Sequence, residues 1–292
     1  FINFYLKQDW MYDMLAGIIA EGENYGNLVS DCKEKIQVEY VSANPTGPLH
    51  VGHGRGAAVG SALANLMKAA GMNVSREYYI NDAGNQINNL AASVNARYLQ
   101  QLGQTVEFPE NGYHGHDIIE TAERIVRIYG DRFLNMSEEE RLKEFRTIAL
   151  KEKLAALKED LEAFNVTYDE WFSEQTLHDA NAIKNACDLL TERGYLYEEG
   201  GALWLKATEY GDDKDRVVIR DNGVPTYFAA DIAYHQDKYA RGFDRVINLW
   251  GADHHGYIAR MKAAVGALGY HPDQLEVLIL QMVSLYRNGE LV

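Results

Sequence analysis

Cysteine is nearly absent: Cys32 and Cys187 are the only two in 292 residues. Two isolated thiols make neither a metal-binding pattern nor a disulfide framework, so a reducing, cytoplasmic setting is the expectation. The first residues carry no secretory pattern. No apolar run reaches the roughly 18 residues of a membrane-spanning helix, so no membrane partner is expected. Basic charge is also short, with 28 Lys and Arg against 43 Asp and Glu, a formal net charge of −15. That balance excludes a general nucleic-acid coat, because phosphate contacts need Lys and Arg. It leaves open local basic patches, or a nucleic-acid surface lying outside this chain. Repeats and low-complexity segments are missing too. What is present is ordinary for a globular chain: 47% hydrophobic and 24% charged residues, enough length for one large domain or two small ones.

The most informative stretch is 43–53, Ala-Asn-Pro-Thr-Gly-Pro-Leu-His-Val-Gly-His. A β-branched run, Ile36 to Val41, enters a Pro/Gly turn. Two histidines, His50 and His53, follow, and then a helix rich in small residues from Gly54 onward. Strand, turn and helix place a helix N-terminus where phosphate binds. Histidines spaced i, i+3 share a face and can reach one anionic ligand. Surface or capping histidines are the plain alternative. A dinucleotide fingerprint is another, since Gly52, Gly54 and Gly56 follow a strand and Glu77 lies near the acidic position that motif needs. It leaves the histidines without a role.

Along the chain, residues 9–31 read as an apolar-striped helix. Strand 36–42, helix 52–70, strand 74–80 and helix 85–103 form a βαβα unit, which predicts a parallel sheet. From 104 to 165 strand signals vanish; Ser137 to Glu140 opens a helix with a capping box. Leu154, Leu157, Leu161 and Phe164 predict a buried stripe, and the charge run 138–146 a solvated face. Helix 179–193, hairpins 195–205 and 216–227, strand 245–250, helix 256–268 and strand 275–281 complete the pattern. The predicted fold class is α/β, a Rossmann-like parallel sheet with a helical insertion. Its expected parts are a helical connector (1–35), a first half-fold (36–103), a largely helical insertion (104–178) and a second half-fold (179–292).

Asn44-Pro-Thr-Gly-Pro-Leu-His50-Val-Gly-His53 resembles the HIGH signature of class I aminoacyl-tRNA synthetases, and the longer string 38–55 resembles the bacterial arginyl type. Likeness continues at Tyr79 to Gln86, Thr226 to Ile232 and Trp250 to Tyr257, in the family's order and over essentially the whole chain. The resemblance implies activation of L-arginine by ATP and transfer to tRNA(Arg), by a cytoplasmic monomer. It also implies that the second ATP signature and the anticodon-binding domain lie outside this chain, which then reads as a catalytic core with little activity alone.

His50 and His53 are expected at the ATP phosphates as the catalytic pair. Asn44, Thr46, Gly47 and Gly52 are expected around ATP, Gly52 by allowing close approach of the nucleotide. Gly251, Asp253 and His254 belong on its adenosine side, at the carboxyl end of a strand where parallel sheets bind ligands. An arginine side chain needs carboxylates and acceptors. Tyr227 and Asp231, spaced i, i+4, fit that need, and the resemblance places them at the guanidinium. Glu39 and Asn44 are implied near the α-ammonium and carboxylate, although Glu39 also reads as an outward strand residue. Asn81, Asp82 and Gln86 read equally as ligand-lining or helix-capping. His114 and His116 read as surface. His254 and His255, with His50 and His53, lack the Cys or HExxH context of a zinc site, so no protein-bound metal is expected. Mg²⁺ would arrive with ATP. The rival functions are a class I synthetase for another amino acid, a nicotinamide-dependent oxidoreductase, and a non-catalytic binding module.

Overall fold

The computed structural model describes every residue except 8 and 32. Helix α1 (Asp9–Glu21) and a 3₁₀ turn (Gly22–Asn24) precede the sheet, and the predicted helix to residue 31 ends there. None of α1's residues is buried, so its apolar stripe meets no core. Strand β1 (Lys35–Glu39) is buried at every position after Lys35. It stops short of the predicted 42 because Val41 and Ser42 turn to φ of +69° and +42°, a region non-glycine residues rarely take. Helix α2 (Val51–Ala69) follows, then β2 (Asn73–Ile80) and α3 (Asn85–Gln101).

The helical stretch predicted next is α4 (His116–Tyr129) and α5 (Glu138–Ala163). The Ser137/Glu140 capping box opens α5 as read from sequence, with Ser137 Oγ accepting from Glu140 N–H. These two helices and α3 share their own core around Leu90, Tyr98, Ile118, Ile125 and Phe145. Two expectations need correcting here. Phe164 is 56% exposed rather than part of the stripe, because α5 ends at Ala163. Within the charge run, Arg141 turns inward and donates from Nε to Asn95 Oδ1 at 2.6 Å.

Strand β3 (Glu170–Ser173) was not legible, being four residues long without alternation. Helix α7 (Ala182–Glu192) is the predicted helix 179–193, starting late because Asn181 adopts the left-handed conformation at φ +52°, and the short α6 (Gln175–Asp179) ahead of it was not predicted. Strands β4 (Leu196–Glu199), β5 (Ala202–Leu205) and β6 (Arg216–Ile219) make a separate antiparallel sheet in the order 4-5-6. The second predicted hairpin forms only as a tight turn, with Arg220 N–H donating to the Val224 carbonyl, Thr226 N–H to the Val218 carbonyl, and no second strand. β6 pairs with β5, and 224–226 make only a bridge and turn bonds before α8 (Tyr227–Ala240) starts. Strand β7 (Arg245–Gly251), a 3₁₀ turn (Ala252–Tyr257), α9 (Ile258–Ala267), β8 (Leu275–Leu280) and the small ladder of β9 (Tyr286–Arg287) and β10 (Glu290–Leu291) complete the chain.

The main sheet has the order β3-β2-β1-β7-β8, and all four of its pairings are parallel. This is the expected Rossmann-like arrangement. Strand order reverses between β1 and β7, and in open parallel sheets ligands bind outside the carboxyl ends at that switch point. The segments leaving β1, β7 and β8 all emerge on that edge.

Helix α2 lies close against β1 because Gly60 has no side chain. A Cβ there would sit 2.2 Å from Cγ of the buried Tyr40 ring. Gly60→Ala therefore has to displace the ring or the helix, at a cost of about 1–3 kcal/mol for overpacking. A lowered Tm in thermal melts is the expected result, and an unchanged Tm would contradict this packing.

Candidate functional site

His50 is the N-cap of α2. Its Nδ1 accepts from Gly52 N–H at 3.1 Å, while His53 Nδ1 accepts from His50 N–H at 3.2 Å. The rings stack with centroids 3.7 Å apart. A neutral imidazole has one donor and one acceptor nitrogen. With both Nδ1 atoms accepting, each neutral ring carries its proton on Nε2, free to donate. Burial, and secondarily the neighbouring His50, lowers the His53 pKa to about 4. At neutral pH it is therefore an uncharged donor. The histidines do cap the helix, as the plain alternative held, and the capping is what orients their free donors.

Gly52 has a different structural reason from the one expected. A Cβ there would meet His50 Cε1 at 3.0 Å and Nδ1 at 3.1 Å, so the missing side chain makes room for the His50 ring. Gly251 is similar: a Cβ would lie 2.5 Å from Asp253 Oδ1.

A cleft of about 860 Å³ opens at the sheet edge. It brings together Asn44, His50, Gly52, His53, Gly251, Asp253 and His254, with residues 281–285 forming the far wall. Asp253 and His254 pair at 3.2 Å. Arg55, on α2, donates to the carbonyls of Gln281 and Met282 at 2.9 and 3.3 Å and ties that wall to the helix. Thr46 and Gly47 face an adjoining cleft of about 410 Å³, which shares Asn44 and His53 with the first. Its other wall includes Tyr113, His114 and Asp117. His114 and His116 are exposed, as read from sequence, and His114 nevertheless lines a cleft.

The carboxylates sit deeper. Asp231, on the sheet-facing side of α8, accepts from Tyr257 Oη at 2.6 Å. Burial raises its pKa to about 7; the Tyr257 bond opposes this, and the nearby Glu39 and Glu174 carboxylates add to it. Burial also raises Glu174. Glu39 is buried, not outward-facing. Its Oε2 accepts from Lys238 Nζ at 2.5 Å and its Oε1 from Ser42 Oγ at 2.9 Å. Lys238, wholly buried, also donates to Asn248 Oδ1 at 3.0 Å. Lys238 thus neutralises Glu39, Glu174 has His178 beside it at 3.5 Å, and Asp231 forms no ion pair with any described residue, which leaves its carboxyl group available to a cation.

Tyr227 does not join this cluster. As the first residue of α8 it is 65% exposed and lines a separate groove, while Asp231, one turn on, points inward. Glu174, Tyr257 and Lys238 were missed from sequence. Only Lys238 had a usable signal, seven positions after Asp231 and so on the same helix face.

Asp82 is neither ligand-lining nor a cap for α3. Its carboxylate accepts from Ser173 Oγ at 2.6 Å and Gln175 N–H at 3.0 Å, pinning the end of β3, and the N-cap of α3 is Gly84. Asn81 does not cap α3 either; with its amide nitrogen turned to donate, it reaches Glu174 Oε2 at 3.0 Å. Gln86 Oε1 is buried without a hydrogen-bond partner. Glu77, which a dinucleotide site would need, is fully buried and accepts from Arg241 and Tyr234. Among the described residues no group of three or more His, Cys, Asp or Glu is placed to hold a metal ion. No helix among them is long and apolar enough to cross a membrane.

Comparison with known proteins identifies the family. Residues 14–284 match the family model described as tRNA synthetases class I (R), catalytic domain. Arginine--tRNA ligases from Carboxydothermus hydrogenoformans and Moorella thermoacetica are 58% and 54% identical to the chain over all 292 residues. The chain spans about half the length of these relatives, 52% of each. A crystal structure from Campylobacter jejuni described as an arginyl-tRNA synthetase superposes with a TM-score of 0.89 at 40% identity, covering 98% of this chain and 63% of that one. The Thermus thermophilus arginyl-tRNA synthetase, 23% identical over 96% of this chain and 52% of its own, shares the fold with a TM-score of 0.68. With a class I sheet, a HIGH-type histidine pair at its switch point and this match over nearly its full length, the chain belongs to the catalytic-domain family of class I tRNA synthetases of the arginine type.

Proposed function

We propose that this chain is the catalytic core for ATP-dependent activation of L-arginine and its transfer to the 3′ end of tRNA(Arg). An arginine carboxylate oxygen attacks the α-phosphorus of ATP, the bond to the β-phosphate oxygen breaks, and pyrophosphate leaves. A ribose hydroxyl at the tRNA terminus then attacks the carbonyl carbon of arginyl-adenylate, and AMP departs. Charge gathers on phosphoryl oxygens in the first step, so positioning and electrostatic stabilisation carry it.

His50 and His53 supply Nε2–H donors to those oxygens at a helix N-terminus. ATP occupies the large cleft, with Asn44 and Gly52 near the phosphates and Gly251, Asp253 and His254 on the adenosine side. Thr46 and Gly47 bound it from the adjoining cleft. Mg²⁺ comes with ATP, held by phosphates and water. Asp231 takes the guanidinium, and Glu39 and Asn44 receive the amino-acid end. The same reading makes the working enzyme a cytoplasmic monomer.

The observation that carries this reading is the buried carboxylate cluster of Asp231, Glu39 and Glu174. A synthetase for a neutral amino acid has no use for three converging carboxylates. Arginine-dependent exchange of pyrophosphate into ATP, on this chain and on one extended to its relatives' length, tests it. Exchange supported better by another amino acid, or thermal stabilisation by NAD in place of ATP, would overturn it.

A pH dependence follows. Guanidinium binds the ionised form of Asp231, whose pKa is raised to about 7 in the free protein. Arginine affinity should therefore climb with pH, by up to about tenfold per unit below 7, and level off above it. Calorimetric titration across that range checks this; a flat profile would remove Asp231 from the guanidinium.

A further inference from the structure

Among the described residues, five other than glycine hold a positive φ, and three of them, Asn165, Asn181 and Asn288, are asparagines, which tolerate that region. The other two are consecutive: Val41 at +69° and Ser42 at +42°. A β-branched valine there is an outlier, and such backbone persists only where its surroundings over-determine it. Here they do. Tyr168 Oη donates to the Tyr40 carbonyl at 3.1 Å and Tyr78 Oη to the Ala43 carbonyl at 2.8 Å, one on each side of the pair. Ser42 N–H returns to the Tyr40 carbonyl at 3.0 Å. The turn leaves the carboxyl end of β1, and Val41, Ser42, Ala43 and Asn44 all line the large cleft.

The strained pair brings about one contact. Residues three apart in an extended strand are separated by about 10 Å and point to opposite faces. The reversal at Val41 and Ser42 instead sets Ser42 Oγ 2.9 Å from Glu39 Oε1, to which it donates. The same hydroxyl accepts from Tyr79 N–H at 3.1 Å, standing in for the ladder partner that β2 loses where β1 ends. One side chain thus ties the Glu39 carboxylate to β2 and to the cleft wall. Lys238 holds the other carboxylate oxygen. A carboxylate offers about four acceptor sites, so Glu39 keeps lone pairs for a ligand while both of its oxygens are fixed in direction.

We infer that Ser42 is a positioning residue for arginine activation: its hydroxyl, presented by the strained turn, aims the Glu39 carboxylate at the α-ammonium of the amino acid. Glycine at this position would take the same backbone freely, but it would lack the donor. The inference rests on the function proposed above, in which Glu39 receives that end of arginine.

Calorimetric titration tests it, using this chain with L-arginine and with δ-guanidinovaleric acid, which keeps the guanidinium and the carboxylate and lacks the α-amino group. The wild-type chain should prefer L-arginine. Ser42→Ala and Ser42→Gly both remove the hydroxyl, and each should weaken L-arginine binding by about tenfold, the size of one hydrogen bond to a charged group. Binding of the deamino analogue should stay near wild type, so the preference shrinks by the same factor. Thermal melts separate the strain from the hydroxyl. Ser42→Gly should melt above Ser42→Ala, because only glycine takes this φ without cost, while the two bind arginine alike. Wild-type preference in either variant, or an equal loss on both ligands, would overturn the positioning role. Ser42→Gly melting no higher than Ser42→Ala would overturn the strain. If the wild-type chain prefers arginine and the variants keep that preference, only the role of Ser42 falls; if the wild-type chain binds neither ligand, or both equally, the underlying reading of Glu39 falls.

Discussion

Replacing Asp231 by asparagine should weaken L-arginine binding by about two orders of magnitude or more. Truncating one partner of a buried charge pair costs about 2–5 kcal/mol, and each 1.4 kcal/mol is about tenfold. The asparagine keeps the size of the side chain and an acceptor for Tyr257 Oη, so the lost quantity is charge. Stability should move the other way. A carboxyl group whose pKa is raised to about 7 on folding stabilises the native state fully below its unfolded pKa, near 3.9. That contribution is lost as pH rises through 7. Asparagine does not titrate and has no such loss, so above neutral pH the variant should melt no lower than wild type. Loss of arginine binding with an undiminished Tm places Asp231 in recognition. Unchanged arginine affinity would remove it from the site.

His53→Ala should slow arginine-dependent pyrophosphate exchange by about 10²–10³, the usual consequence of removing one donor from a developing oxyanion. Arginine affinity should stay near wild type, because the carboxylate cluster does not include this ring. Part of the effect is indirect: His53 Nδ1 accepts from His50 N–H, so alanine also loosens the cap that aims His50. His53→Asn retains an acceptor and a donor and should recover part of the rate. Both variants should melt within the roughly 0.5–2 kcal/mol expected of a changed N-cap. Exchange at the wild-type rate in His53→Ala would remove the histidine from phosphate chemistry.

Elements with strong local signals were readable as written. The strand before the Pro/Gly turn, the Gly-rich helix after it and the Ser137 cap all depend on residues within a few positions of each other. Elements without such signals were not. β3 exists because Glu77 to Ile80 offers four residues a parallel edge to pair with, and nothing in Glu170–Ser173 announces that. The β-like segment after Asn222 makes a single antiparallel bridge to the other edge of β6 and goes no further, because α8 begins at Tyr227. The apolar periodicity of α1 was real, and still gave no buried face.

The opening histidine pair shows the same division. By itself the sequence determined the pair, the turn that precedes it and the helix it starts, because capping and turn formation are local. It also determined family membership, through four motifs spread in order along the chain. Tertiary structure alone decided that both Nδ1 atoms accept backbone protons and leave Nε2 to donate, and that Gly52 yields its space to His50. It decided that Glu39 is buried against Lys238, 199 positions away, and that Asp231 ionises only near neutrality. Those outcomes depend on desolvation and on charges brought close by the β1–β7 pairing. Such forces act through space between residues the chain keeps far apart, and no local pattern encodes them.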